Sequence, residues 1–241
     1  MQPVISFIVP AYNEEQLLGQ TLESIHSAAR AVGEPYEVIV VDDGSTDQTP
    51  VVAQRHGALV VSVNHRKISA TRNSGAKVAA GDLFFFVDAD TIVDTEVVQA
   101  AIHALRSGAV GGGAAFKFDG VIPLYARLIL PIIIFVFRWT DIATGCFLFC
   151  TKTAFQAVGG FDESYFSAEE IVLSQALRRH GRFKVLHLSV TTSGRKLRTF
   201  SNREWTAMML QIARKGRGAV QQRQGLELWY GKRRDDPEKK I

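Results

Sequence analysis

The chain has 241 residues, of which 46% are hydrophobic and 22% charged, and it contains two cysteines. That composition fits one globular domain with a core large enough to stand without staples, and it excludes a disulfide framework or a four-cysteine zinc site. The net charge of +4 hides an asymmetry, because residues 1–173 carry 11 Lys/Arg against 19 Asp/Glu while residues 174–234 carry 15 against 2. A basic C-terminal quarter on an acidic body implies either an anionic partner (phosphate or lipid headgroup) or a solvated basic face. It has few aromatics and no nucleic-acid motif, so nucleic acid is not an expected partner.

The opening MQPVISFIVP has no basic region before its apolar stretch and does not read as a signal peptide. Short β-branched or aromatic runs at 4–10, 37–41, 59–63 and 83–87 read as doubly covered parallel strands. Helical patterns alternate with them. The first, over 14–32, sets Leu17, Leu18, Leu22, Ile25, Ala28 and Ala29 on one stripe. The second, over 46–56, follows Ser45 as a helix N-cap; two more cover 69–80 and 95–107. This order predicts an α/β fold with a right-handed, mostly parallel sheet flanked by helices.

Beyond residue 108 the pattern is less regular. Strands are expected over 109–118, interrupted by Gly111–Gly113, and over 142–150 and 183–190; helices are expected over 168–180 and 202–215. The run from Val121 to Trp139 is apolar nearly all round and reads as a helix or hairpin. Its longest uninterrupted part, 128–137, is bracketed by Arg127 and Arg138 and is too short to span a bilayer. Two readings of it stay open: a core element covering the sheet edge, or a peripheral membrane or lipid contact helped by the basic quarter. The organisation expected is one domain over 1–231, with halves of about 1–108 and 109–231, and a charged flexible tail over 232–241. Cys146 and Cys150 read as reduced core thiols, which fits a cytoplasmic location.

The polar clusters fall at the carboxyl ends of strands, where open α/β sheets bind ligands. Asp88-Ala89-Asp90 follows the LFFFV run and offers two carboxylates to one hard cation, Mg²⁺ or Mn²⁺. Asp42-Asp43-Gly44-Ser45 follows another strand and reads either as a capping turn or as an acceptor for nucleobase N–H or ribose hydroxyl. Glu169-Glu170 opens a helix, where an ionised carboxylate suits a general base or simply complements the dipole. Arg66, Lys67 and Arg72 form one cationic group, and Arg195, Lys196 and Arg198 another; either can neutralise a diphosphate. Neither G-x-G-x-x-G after an early strand nor G-x-x-x-x-G-K-[ST] is present, so dehydrogenase and P-loop readings fall.

Together these residues resemble the family 2 glycosyltransferases, of the GT-A fold. The resemblance is carried in order by IVPAYNEE (8–15), VVDDGSTD (40–47), SATRNSGAKVAAGDLFFFVDAD (69–90), GCFLFCTKTAFQAVGGFDESYF (145–166) and AEEIVLSQALRRHG (168–181). It implies a Rossmann-like sheet with a smaller mixed acceptor-side portion. It also implies a uridine or guanosine diphosphate sugar donor, a divalent metal, and direct displacement with inversion. Pro10, Ala11, Tyr12 and Glu14 would line the nucleoside pocket, Asp43 would recognise the base, and Arg72 would lie near the donor. Asp88 and Ala89 would touch the ribose or sugar, and Asp90, with Asp88, would hold the metal. Arg195 or Arg198 would help stabilise the departing diphosphate. Glu170 stands where the family has Asp as general base, with Glu169 sharing or taking the role. The Q-x-x-R-W signature of processive synthases is absent, so one transfer per encounter is expected, to an acceptor hydroxyl and, on the second reading of 121–139, to a lipid or lipid-linked acceptor. Competing readings are a nucleotide-sugar-binding protein with weakened catalysis and a nucleotidyltransferase.

Overall fold

A computed structural model of the chain describes residues 4–231 together with Arg234 and Asp236. In chain order the elements are β1 (Ile5–Ala11), α1 (Leu18–Val32), β2 (Tyr36–Asp43), α2 (Thr49–Arg55), β3 (Leu59–Val63), α3 (Ile68–Val78), β4 (Leu83–Val87), β5 (Thr91–Ile92) and α4 (Thr95–Arg106). They continue with β6 (Gly111–Phe118), α5 (Leu124–Trp139), β7 (Phe147–Thr151), α6 (Lys152–Ala157), α7 (Glu169–His180), β8 (Phe183–Thr192), α8 (Arg195–Thr199), α9 (Asn202–Lys215), α10 (Arg217–Val220) and α11 (Glu227–Tyr230).

One sheet takes strands from both halves of the chain, in the order β3-β2-β1-β4-β7-β6-β8-β5. Pairing is parallel through β3, β2, β1 and β4 and again between β6 and β8. The strand β7 runs antiparallel between β4 and β6, and the short β5 lies antiparallel on β8. The sheet is therefore parallel on the β1 side and mixed beyond β4.

Strand alternation divides the core in two. Phe7, Val40, Phe85 and Phe149 meet α1 and α4 on one face. Ile8, Ile39, Phe84, Phe86 and Leu148 meet α3, α6 and α7 on the other. Close approach is secured by small residues. A Cβ at Gly75 on α3 would press against Ile8 and lie 2.8 Å from Val41, so glycine lets the helix settle onto β1 and β2. A Cβ at Gly112 would collide with the Lys184 carbonyl and the Phe149 ring, which explains the glycine run inside β6.

Two expectations change. Helix α2 begins at Thr49, not residue 46, and Ser45 is not its N-cap; the Ser45 hydroxyl instead accepts from the Asn13 N–H. The segment after residue 121 is a helix with Ala126 as its buried residue, so the core-covering reading falls. The expected tail over 232–241 lies outside the described residues, except that Arg234 is paired with Glu204 and Asp236 with Arg198. No described helix is long and apolar enough to cross a membrane. Cys146 and Cys150 are free and buried; burial raises the Cys146 thiol to about 12 and raises Cys150 as well, leaving both as inert core thiols.

Candidate active site

The loops leaving β1 and β2 are laced together by their polar side chains. Asn13 Oδ1 accepts from Thr46 N at 2.8 Å, Glu14 N donates to Thr49 Oγ1 at 2.8 Å, and Gln48 N donates to Glu15 Oε2 at 2.8 Å. This is why Ser45 and Thr46 are drawn away from capping. Asn13, Arg66 and Ala168 take left-handed backbone conformations without being glycine. Such strain persists only where surrounding contacts impose it, and Arg66 and Ala168 both line one cavity at the strand ends.

That cavity brings together Pro10, Ala11, Tyr12, Glu14, Asp43, Arg72, Asp88, Ala89, Asp90, Glu169 and Glu170. The sequence separates them by up to 160 positions; the parallel strands return them all to one end of the sheet. Asp43 accepts four hydrogen bonds: Oδ1 from the N–H groups of His65 and Arg66 at 2.6 and 2.8 Å, and Oδ2 from Lys67 N and Thr71 Oγ1 at 3.0 and 2.9 Å. These occupy the acceptor sites of its two oxygens, so Asp43 clamps the loop before α3. That loop lays the Arg66 guanidinium over the Tyr12 ring, 3.4 Å from its centroid.

Arg72 is the hub. It is buried and donates to Glu169 Oε1 at 2.9 Å, Asp88 Oδ1 at 2.7 Å and the Gly145 carbonyl at 2.8 Å. One side chain thus ties the Asp-Ala-Asp turn to the first residue of α7. Glu169 is buried, and desolvation, reinforced by neighbouring Glu170 and only partly offset by Arg72, raises its carboxyl to about 8. Desolvation also raises Glu170, against the pull of Arg72. Glu170 is half-buried and faces the cavity. A Cβ at Gly145 would sit 3.5 Å from its carboxyl carbon, so the absent side chain keeps the approach open.

The basic residues divide differently from the sequence expectation. Arg195 is buried against Glu14, donating to both carboxylate oxygens at 2.7 and 2.9 Å. Arg198 is held by Asp119 and Asp236. Neither lines the cavity; Lys196, between them, does. Also in the wall, and missed from sequence, are Phe166, Trp229 and Tyr230. The Tyr230 hydroxyl donates to the Phe166 carbonyl at 2.6 Å and accepts from Ile68 N at 3.4 Å. A short C-terminal aromatic pair has no periodic signal to announce it.

Asp88 and Asp90 offer hard oxygen ligands at the cavity floor, Asp88 with one oxygen committed to Arg72 and Asp90 accepting a long 3.4 Å bond from Thr192. Among the described residues no group of three or more His, Cys, Asp or Glu could enclose a metal. Two carboxylates fit a Mg²⁺ or Mn²⁺ ion that draws its remaining ligands from phosphate and water, and do not fit a closed structural zinc site.

Residues 6–158 match the family described as Glycosyl transferase family 2, and the chain belongs to that family. It is 31% identical over 134 residues to a dolichol-phosphate mannosyltransferase of Pyrococcus furiosus, covering 52% of this chain and 38% of the relative. It is 32% identical over 108 residues to a validoxylamine A glucosyltransferase of Streptomyces hygroscopicus subsp. jinggangensis, covering 42% and 25%. The chain therefore spans less than two fifths of the length of these relatives. In fold it is similar to a mannosyltransferase of Pyrobaculum calidifontis solved with GDP-Man and Mn²⁺, with TM-score 0.68 at 20% identity over 86% of this chain and 61% of that one. The α/β architecture with its partly parallel sheet is that of the GT-A neighbours.

Proposed function

We propose that the protein transfers a sugar from a nucleotide-diphosphate sugar to an acceptor hydroxyl, with inversion at the anomeric carbon. The observation that carries this reading is the Arg72 hub, which joins Asp88 on the donor side to Glu169 on the acceptor side of one cavity. In this reading Tyr12 and Arg66 form the base platform, and Asp43 acts through the loop that it clamps. Lys196 meets the diphosphate in place of Arg195 and Arg198. Asp90 and Asp88 would hold a divalent cation, Mn²⁺ or Mg²⁺, which supplies charge neutralisation at the leaving diphosphate. Glu170 takes the proton from the acceptor hydroxyl. Its raised affinity for protons makes it a stronger base than an exposed carboxylate. Glu169, fixed by Arg72, orients the start of α7, while burial and the nearby Asp88 charge raise Glu170. Holding acceptor and donor in line supplies much of the remaining rate.

The acceptor proposed is a lipid or lipid-linked molecule, reached with the protein lying at a membrane surface. Support comes from α5, an exposed apolar helix whose following segment reaches the site at Gly145, a cavity residue whose carbonyl accepts from Arg72.

The test is a donor screen by thermal shift, with and without Mn²⁺, across uridine, guanosine and thymidine diphosphate sugars. Metal-dependent stabilisation by one donor, lost in Asp90→Ala, is expected. Turnover must then release a nucleoside diphosphate. Pyrophosphate release from a nucleoside triphosphate would replace the reading by nucleotidyl transfer, and donor binding without turnover would replace it by a binding protein.

A further inference from the structure

Among the described residues most of the exposed large hydrophobic side chains gather on α5. Leu124, Leu128, Ile132, Phe135 and Trp139 are exposed by 68, 65, 63, 67 and 79%. Their spacing places them on one helical face, an apolar stripe that a folded chain does not leave in water without a partner. The adjacent face is different. Arg127, Leu130, Ile134 and Arg138 follow one another along it and look onto a groove of about 610 Å³ between α5 and strands β6 and β8, where Phe116 and Lys117 form the opposite wall. Two arginines and a lysine thus rim an apolar slot. Among the described residues no carboxylate lines it; Asp119, next along β6, is committed to Gly194 and Arg198.

We infer that α5 seats the protein on an anionic bilayer, its outer stripe among the acyl chains, with lipid phosphates met along the groove rim by Arg127, Arg138 and Lys117. Sixteen residues give a helix of about 24 Å, short of the ~30 Å hydrocarbon core, so α5 lies in the interface and does not cross it. Trp139 at its end is the residue type that favours the headgroup level. A second copy is a poorer occupant. A two-fold contact through the outer stripe would set apolar side chains against their own images and bring no anion to Arg127, Arg138 and Lys117 along the groove. The neighbouring end of α7 adds the same sign, with Arg178 hydrogen-bonded to the Thr140 carbonyl. This inference deepens the lipid-acceptor reading and rests on it only for the purpose of the bound lipid; vesicle binding needs neither donor nor turnover.

The experiment is co-sedimentation of the purified chain with phosphatidylcholine vesicles, with and without phosphatidylglycerol, at low and high salt. Binding is expected only to the phosphatidylglycerol vesicles and is expected to weaken with salt. The triple variant Leu128→Gln/Ile132→Gln/Phe135→Gln should abolish it. Arg127→Gln/Arg138→Gln should weaken it roughly thirtyfold, at about 1 kcal/mol per surface cation. These side chains are outside the donor cavity, so melting temperature and donor-induced shift should be retained in both variants. The inference is overturned by failure to bind either vesicle, by binding that survives both variants, or by a concentration-dependent dimer that the triple variant dissolves. Vesicle binding without any donor binding would sink the transfer reading and leave this one standing.

Discussion

Arg195 and Glu14, 181 positions apart, form a buried ion pair in which one guanidinium nitrogen reaches both carboxylate oxygens at 2.7 and 2.9 Å. The pair fastens the start of α8 to the turn leaving β1, beside the cavity that Glu14 and Lys196 line. Removing one partner strands the other charge away from water. Arg195→Met or Glu14→Gln is therefore expected to cost about 3–5 kcal/mol in urea unfolding of the ligand-free protein, with the paired variant Glu14→Leu/Arg195→Met recovering much of the loss. An unchanged unfolding midpoint with weakened donor binding would instead return Arg195 to the diphosphate.

The contrast between Arg195 and Lys196 shows what the sequence leaves open. Adjacent basic residues in SGRKLRTF are equivalent as letters, and only the position of Glu14 in space decides which one is turned inward. The strands were legible because residues such as Phe84, Phe85 and Phe86 are buried on both faces of a parallel sheet, which makes a continuous apolar run the signal. Helices with a full stripe, α1 and α4, were legible for the same kind of reason. The elements missed, β5, α6, α8, α10 and α11, are between two and six residues long, too short to show a period. Whether α5 is buried or exposed stayed open in the sequence, because apolarity all round fits either until tertiary packing decides.

Glu170 touches the cavity while Glu169 is spent on Arg72. Glu170→Gln should lower kcat by about 10²–10⁴, the usual worth of a positioned base, with donor affinity by thermal shift retained. Because burial raises its carboxyl above the ordinary range, the rate should climb with pH through that raised value as the base ionises. A flat pH profile in the wild type, or equal loss in Glu169→Gln with no loss in Glu170→Gln, would reassign the base.

The pair also marks stability. Glu169 holds its proton up to about pH 8, against an ordinary 4.5. The folded state therefore binds that proton more tightly than the unfolded chain does. Its contribution is fully present below pH 4.5 and is lost as pH rises through 8. Wild-type unfolding free energy should fall over that window, and the Glu169→Gln protein should show a shallower fall, by on the order of a few kcal/mol. Parallel curves for the two proteins would remove the burial argument.

The cavity at the strand ends encloses about 150 Å³, half or less of the ~300–1,000 Å³ of small-molecule sites. On the proposed function a nucleotide sugar needs more room, and α11 is expected to give way. It is held at the cavity by the Tyr230 hydroxyl, through its bonds to the Phe166 carbonyl and Ile68 N. Lys196 lies 6.0 Å over the Trp229 ring, so displacement of α11 would change the field around the indole if the cation turned to a bound diphosphate. In a protein carrying Trp139→Phe and Trp205→Phe, leaving Trp229 as the sole tryptophan, donor with Mn²⁺ should change the emission, and Lys196→Gln should weaken donor binding about tenfold or more. Emission that is unchanged at saturating donor would mean that α11 stays in place and that the sugar nucleotide enters from the Gly145 side.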